Sequence, residues 1–184
     1  YELNISWWSA MEDASRDVKR YQQERFLLSQ LLVMSLKGIP AFYLPALLGS
    51  ENDIKRFSMT GERRDLNREK FHLEKLLIQL DNKDSIANKN IKVLSKAMKI
   101  RSKFKSFHPS AKMKCLTKGR RDIVAIKRGF GNSSIFAIHN ITDNKLNFSI
   151  DESLDFPLGD VITYCDYLSG KKYENLNFVL EPFE

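Results

Sequence analysis

From Asp17 to Lys37 the apolar residues Phe26, Leu27, Leu31, Leu32 and Leu36 recur at helical spacing, with Leu28 and Val33 on the flanks, and Gly38 ends the run. The spacing predicts an amphipathic helix. Pro40 cannot continue a helix but suits the first position of a strand, so Ile39 to Leu44, apolar at both parities, predicts a strand covered on both faces. Such a strand, directly after a helix, belongs in a parallel sheet. Gly49 to Asn67 is rich in Ser, Asn, Asp, Gly and Arg, too polar and too long for a simple connection, and is the segment expected to carry chemistry.

Asn67 is the expected cap of a helix running to about Leu80, and the Asn82 to Ser85 cluster breaks it. Ser85 opens another helix, with Ile86, Leu94, Ala97, Met98 and Phe104 facing one way and Lys89, Lys92, Lys96, Lys99 and Lys103 on the solvated side. Past His108 and Pro109 the period changes to two. Met113–Thr117, Ile123–Arg128, Ile135–Ile141, Leu146–Ile150, Val161–Tyr167 and Leu176–Leu180 predict short strands separated by Gly, Asn and Asp turns. The expected fold is therefore α/β followed by all-β, the latter an antiparallel sandwich packed on the preceding helices.

The 184 residues, 42% hydrophobic and 29% charged, exclude disorder and fibrous folds. The longest apolar stretch, Phe26 to Leu36, is broken by Ser29, Gln30 and Ser35 and falls short of the roughly 20 residues that cross a bilayer. No membrane role is expected. Cys115 and Cys165 are far apart and lack CxxC spacing, so both are expected to be small buried hydrophobes. His72, His108 and His139 show no metal-ligand spacing, and His108 before Pro109 reads as a packed junction between the two parts of the chain. Trp7 and Trp8, adjacent aromatics leading into a helix, read as one core and one rim residue and not as a sugar-stacking pair, and the Asn-x-Ser/Thr tripeptides at Asn4, Asn132, Asn140 and Asn147 as chance in an Asn-rich chain.

The chain carries a net charge of +7, and Lys83 to Arg128 holds fifteen basic residues against Asp84 and Asp122 alone. Such a block opens an alternative function: a non-catalytic module binding nucleic acid through the Lys89–Lys103 stripe, with affinity falling steeply with salt. The stripe has no interleaved aromatics for base stacking, which argues against it. The sequence opens on Tyr1 in a strand-like pattern and reads as starting inside a larger protein.

Several runs carry a family resemblance. Gly38-Ile39-Pro40-Ala41-Phe42-Tyr43 is similar to the last barrel strand of the alpha-amylase superfamily, family thirteen of the glycoside hydrolases. Its continuation, Leu47-Leu48-Gly49-Ser50-Glu51-Asn52-Asp53 and Thr60-Gly61-Glu62-Arg63-Arg64-Asp65-Leu66-Asn67-Arg68-Glu69, resembles the sucrose phosphorylase and glucosylglycerate phosphorylase branch. Tyr1-Glu2-Leu3-Asn4, Phe107-His108-Pro109, Asp166-Tyr167-Leu168-Ser169-Gly170-Lys171 and Leu180-Glu181-Pro182-Phe183 agree with it.

The resemblance implies the last elements of a (β/α)8 TIM barrel over residues 1–108 and a C-terminal β-sandwich domain over 109–184. It implies a cytoplasmic retaining enzyme that passes a glucosyl group from an alpha-glucoside to inorganic phosphate, with no cofactor and no metal. The reacting acids of that family lie on earlier barrel strands, so no residue of this chain is assigned a catalytic role, and Glu12, Asp13, Asp53 and Asp65 are expected to be caps, turn residues or surface charges. The implied partner is the remaining barrel of the same enzyme. Two substrate-binding positions carry over. Arg64 resembles the arginine that approaches fructose or phosphate on the acceptor side, against the plainer reading of an ion pair with Glu62 or Asp65. Glu2 stands where sucrose phosphorylases have Gln in the acceptor loop, which disfavours sucrose and leaves glucosylglycerate or another glucoside open.

Overall fold

Among the described residues, five α-helices come first along the chain and seven short strands follow: α1 Gln22–Ser35, α2 Leu44–Leu48, α3 Ile54–Thr60, α4 Leu73–Asp81, α5 Ile86–Lys103, then β1 Met113–Cys115, β2 Ile123–Arg128, β3 Ile135–Asn140, β4 Leu146–Ser149, β5 Tyr164–Cys165, β6 Lys172–Tyr173 and β7 Asn177–Leu180. This computed structural model describes residues 3–12, 20–117, 119–129, 133–150, 163–174 and 177–184. The chain divides into two compact units, one comprising Tyr1–Ser29 and Ala41–Ser95, the other Gln30–Pro40 and Lys96–Glu184.

In the first unit Trp8 and Phe26 are buried with ring centroids 5.3 Å apart, and Leu48, Ala87 and Leu94 share the interior. Trp7 stays at the rim, its Nε1 donating to Ser29 Oγ at 2.8 Å. Ser85 caps α5 as expected, its Oγ accepting the Asn88 amide at 3.0 Å. Behind it Ala87, Asn90, Leu94 and Ala97 are buried while all five lysines of the stripe are exposed. Ile86, at the first turn, is partly exposed although its Cγ2 lies close to Gly49. Asn90 is fully buried; its Oδ1 accepts from Gln23 Nε2 at 3.3 Å.

Two local expectations fail here. Ile39 to Leu44 forms no strand: Tyr43 has extended backbone angles (φ −90°, ψ 132°), but helix α2 begins at Leu44, and Ile39 is 83% exposed. A strand exists only through its ladder, and none of the described strands pairs with this segment. Asn67 does not cap a helix either. It ends a 3₁₀ turn, Arg63–Asn67, and α4 starts only at Leu73 after His72.

In the second unit all strand pairs are antiparallel: β1–β2–β3, β4–β7 and β5–β6. The register sets Ile123 opposite Asn140 and Phe148 opposite Phe178. Leu116, Ile123, Ala125, Phe148, Ile150 and Leu180 form one apolar cluster, with Phe136, Ile138, Leu146 and Phe178 against it. Two small sheets thus bury one core, the product of period-two patterning. Strand β6 escapes the sequence pattern, because two residues are too few to show a period. Asn140 is fully buried and structural: its Nδ2 donates to the carbonyls of Asn144 at 2.7 Å and Glu181 at 2.8 Å.

Both cysteines are exposed, contrary to expectation. Cys115 lies on β1, whose three residues are all exposed at the sheet edge, and Cys165 sits in a two-residue strand too short to bury anything. His108 is likewise exposed and not packed; its Nδ1 accepts the Ser110 amide at 3.2 Å.

Candidate functional site

The polar segment after α2 folds into a small laced module. Gly49 takes the left-handed conformation that stops α2, and Asn52 then ties the chain to the turn and 3₁₀ segment at residues 6–11: its Oδ1 accepts the Ser6 amide at 2.7 Å and its amide donates to Ser9 Oγ at 3.2 Å. Asp53 caps α3, accepting the Arg56 amide at 2.9 Å, while its own amide donates to the Leu66 carbonyl at 2.7 Å. Gly61, at φ 68°, ends α3 and turns the chain into the 3₁₀ turn.

Within that turn Arg64 is exposed and Asp65 is half-buried. Asp65 pairs with Arg56, Oδ1 to Nε at 2.9 Å, and hydrogen bonds from Arg56 and then Thr60 hold its carboxyl below the usual carboxylate range. Asp53 is thus a cap and Asp65 a turn residue, as expected, and the pairing of Asp65 with Arg56 is an addition from the fold. Glu12 accepts from Gln22 Nε2 at 3.5 Å, and Asp13 lies outside the described residues. Glu2 lies outside them as well. Arg56 was not singled out in the sequence. The signal was there in part, since Asp53 before Ile54 is a capping pattern, but the pairing across to Asp65 is tertiary.

A second constellation, in the other unit, gathers on the C-terminus of α1, which has no basic residue in its own last turn. Arg101 donates through Nη1 to the Met34 carbonyl and through Nη2 to Gly38 at 2.7 Å. Arg128, fully buried on β2, donates to the carbonyls of Leu36, of Ser35 at 3.1 Å and of His108 at 3.0 Å, and its guanidinium lies 5.8 Å from the Phe107 ring centroid. The orphan carbonyls and negative pole of a helix end are satisfied by two cations supplied from elsewhere. Two members of the basic block are therefore structural.

Burial pushes the His139 imidazole down to about 4, beside Ser35 Oγ at 3.3 Å. The unfolded chain titrates this group near the ordinary value of about 6.5, so below that pH the unfolded state binds the extra proton. Stability is expected to fall as the pH drops from about 6.5 toward 4 and to be independent of this group above. Urea midpoints at neutral and mildly acidic pH check it: His139→Gln should flatten the slope.

Among the described residues no group of three or more His, Cys, Asp or Glu gathers to hold a metal ion, and no helix is long and apolar enough to cross a membrane.

No family model matches the chain. Over 144 residues it is 32% identical to a glucosylglycerate phosphorylase from Allomeiothermus silvanus, a match covering 78% of this chain and 26% of that protein. A glucosylglycerate phosphorylase from Escherichia coli is 30% identical over 110 residues, 59% of this chain and 19% of that one. The chain thus spans about a quarter or less of the length of these relatives. Among solved structures, the trehalose-6-phosphate hydrolase of Bacillus licheniformis superposes with a TM-score of 0.64 at 14% identity, covering 90% of this chain and 38% of that one, a likeness of fold. The sequence runs quoted above, the helix-then-antiparallel-strand order and these relatives agree: the chain belongs to the alpha-amylase superfamily, glycoside hydrolase family 13, as a C-terminal part within its sucrose phosphorylase and glucosylglycerate phosphorylase branch.

Proposed function

We propose that this chain is the acceptor-side portion of a retaining glucoside phosphorylase, of which glucosylglycerate is a better candidate substrate than sucrose. The observation that carries the reading is the 30–34% identity to three glucosylglycerate phosphorylases. In the whole enzyme an aspartate attacks the anomeric carbon, a glutamate protonates the departing oxygen, and inorganic phosphate intercepts the covalent glucosyl intermediate to give glucose 1-phosphate. Those acids belong to the partner, the rest of the (β/α)8 barrel, and not to this chain. Residues 1–108 are its last elements and 109–184 its sandwich.

The chain's own contribution is Arg64 and Glu2. Arg64 is exposed on a turn that the Asp53–Leu66 and Arg56–Asp65 bonds hold in place, and its planar guanidinium suits a phosphate or carboxylate oxygen pair. Glu2 accepts hydroxyl hydrogen bonds from the sugar or the glycerate. Apolar side chains support a barrel partner: Leu73, Leu77 and Ile78 of α4 and Tyr43 and Leu44 in the first unit are exposed, as is Ile39 in the second. Covering such surfaces stabilises by about 25 cal/mol per Å². The nucleic-acid alternative has less in its favour: the five lysines of the stripe are exposed, but Lys96 Nζ donates to the Leu168 carbonyl at 2.5 Å, and the relatives above are glucosylglycerate phosphorylases.

The chain by itself is expected to release no glucose 1-phosphate from glucosylglycerate and phosphate, while co-expression with the preceding barrel portion of a glucosylglycerate phosphorylase restores phosphorolysis. Activity in the chain alone refutes the assignment of the acids.

A further inference from the structure

Neither α3 nor the 3₁₀ turn Arg63–Asn67 buries a residue, so apolar packing does not hold one against the other. A closed circuit of polar bonds does. The Asp53 amide reaches the Leu66 carbonyl at 2.7 Å, the Asp53 carboxylate takes the Arg56 amide at 2.9 Å, and Arg56 Nε meets Asp65 Oδ1 at 2.9 Å. Thr60 joins it, Oγ1 donating to the Arg56 carbonyl at 3.1 Å and accepting the Glu62 amide at 3.2 Å. The Asp65 amide donates to the Glu62 carbonyl at 2.9 Å, which stiffens the turn itself.

We propose that the Arg56–Asp65 ion pair is a positioning device for Arg64, orienting the turn so that the Arg64 guanidinium is presented to an oxyanion of the phosphate class. In a 3₁₀ turn successive side chains diverge by about 120°, so an Asp65 held toward α3 sends Arg64 outward. The pair also settles an electrostatic conflict. A bare carboxylate next to Arg64 repels an incoming anion; one whose charge is neutralised by Arg56 does not. The inference rests on the reading of Arg64 as an acceptor-side residue.

Charge and positioning predict opposite signs, which makes the pair testable. Asp65→Asn deletes a negative charge beside the anion site, so by charge alone phosphate binds tighter. If the carboxylate positions Arg64, phosphate binds more weakly. The ¹⁵N-labelled 184-residue chain, assembled by co-expression with the preceding barrel portion, is titrated with inorganic phosphate at constant ionic strength, following the Arg64 Nε–H signal and the turn amides. Asp65→Asn and Arg56→Lys are each expected to weaken phosphate by about fivefold and to speed exchange of the Asp53 amide, and Asp65→Glu to recover most of the loss. Arg64→Lys is the control for the underlying reading and should abolish the phosphate-induced shifts of the turn amides. Unchanged or tighter binding in Asp65→Asn, with Arg64→Lys still abolishing the response, overturns the positioning role and leaves the Arg64 reading standing. A wild-type chain whose Arg64 signal ignores phosphate overturns the Arg64 reading first, and the positioning role with it.

Discussion

Arg128→Ala is expected to destabilise the unit built from Gln30–Pro40 and Lys96–Glu184 by about 3–5 kcal/mol, because it leaves three carbonyls without their donor. The guanidinium is fully buried on β2 and serves three carbonyls, two of them at the end of α1 and the third at His108. Each carbonyl left without a donor away from water costs about 1–3 kcal/mol. Arg128→Lys keeps the charge but offers a single point donor where a planar fork reaches three acceptors, so it should recover less than half. Arg101→Ala, at a half-buried position, should cost about 1–2 kcal/mol, because solvent can replace part of its donation to Met34 and Gly38. Urea unfolding followed by far-ultraviolet circular dichroism reads all three. A loss below about 1 kcal/mol for Arg128→Ala means that water enters and takes over the carbonyls, and the clamp is then unimportant.

The second large effect is Gly49→Ala, in the other unit. Gly49 sits at φ 70°, and a Cβ there would lie 2.6 Å from Asn90 Nδ2, 2.7 Å from Ile86 Cγ2 and 3.0 Å from Trp8 Cε3. Asn90 and Trp8 are buried and have little room to retreat. A left-handed residue with a Cβ costs about 1–2 kcal/mol and overpacking adds about 1–3, so a loss of about 2–5 kcal/mol is expected. Gly61→Ala separates the two contributions. It has φ 68° but nothing within 4 Å of a built Cβ, so it should lose the backbone part alone. Tryptophan fluorescence during unfolding measures both, and equal losses would show that the close approach to Asn90 is relieved at no cost.

How much of this was legible depends on the range over which each signal acts. The Ser85 cap and the helix behind it, and the β2 strand Ile123–Arg128, stand where the local pattern put them, because capping and alternation are decided within a few residues. Ile39 to Leu44 has a strand's composition and, at Tyr43, a strand's backbone, but strand identity requires a neighbour that local pattern does not contain. Cys115 looked like a core residue because its type is usually buried, yet its place on the edge strand β1 exposes it. Of the candidate site, Arg64 and Glu2 came from family resemblance, whereas Arg56 came only from the fold.

Local chemistry along the chain decided where α5 begins, where the period changes from helical to alternating, and which runs mark membership of the glycoside hydrolase family. Those signals live in neighbouring residues, which interact in any compact state. Tertiary structure decided which charges are internal. Arg128 and the lysines of α5 are indistinguishable as members of one basic block, yet the lysines are solvated while Arg128 is drawn beneath the end of a helix some ninety residues earlier in the chain. The reason is that unsatisfied carbonyls at a helix end attract any donor the fold can deliver, and sequence distance places no limit on which donor that is.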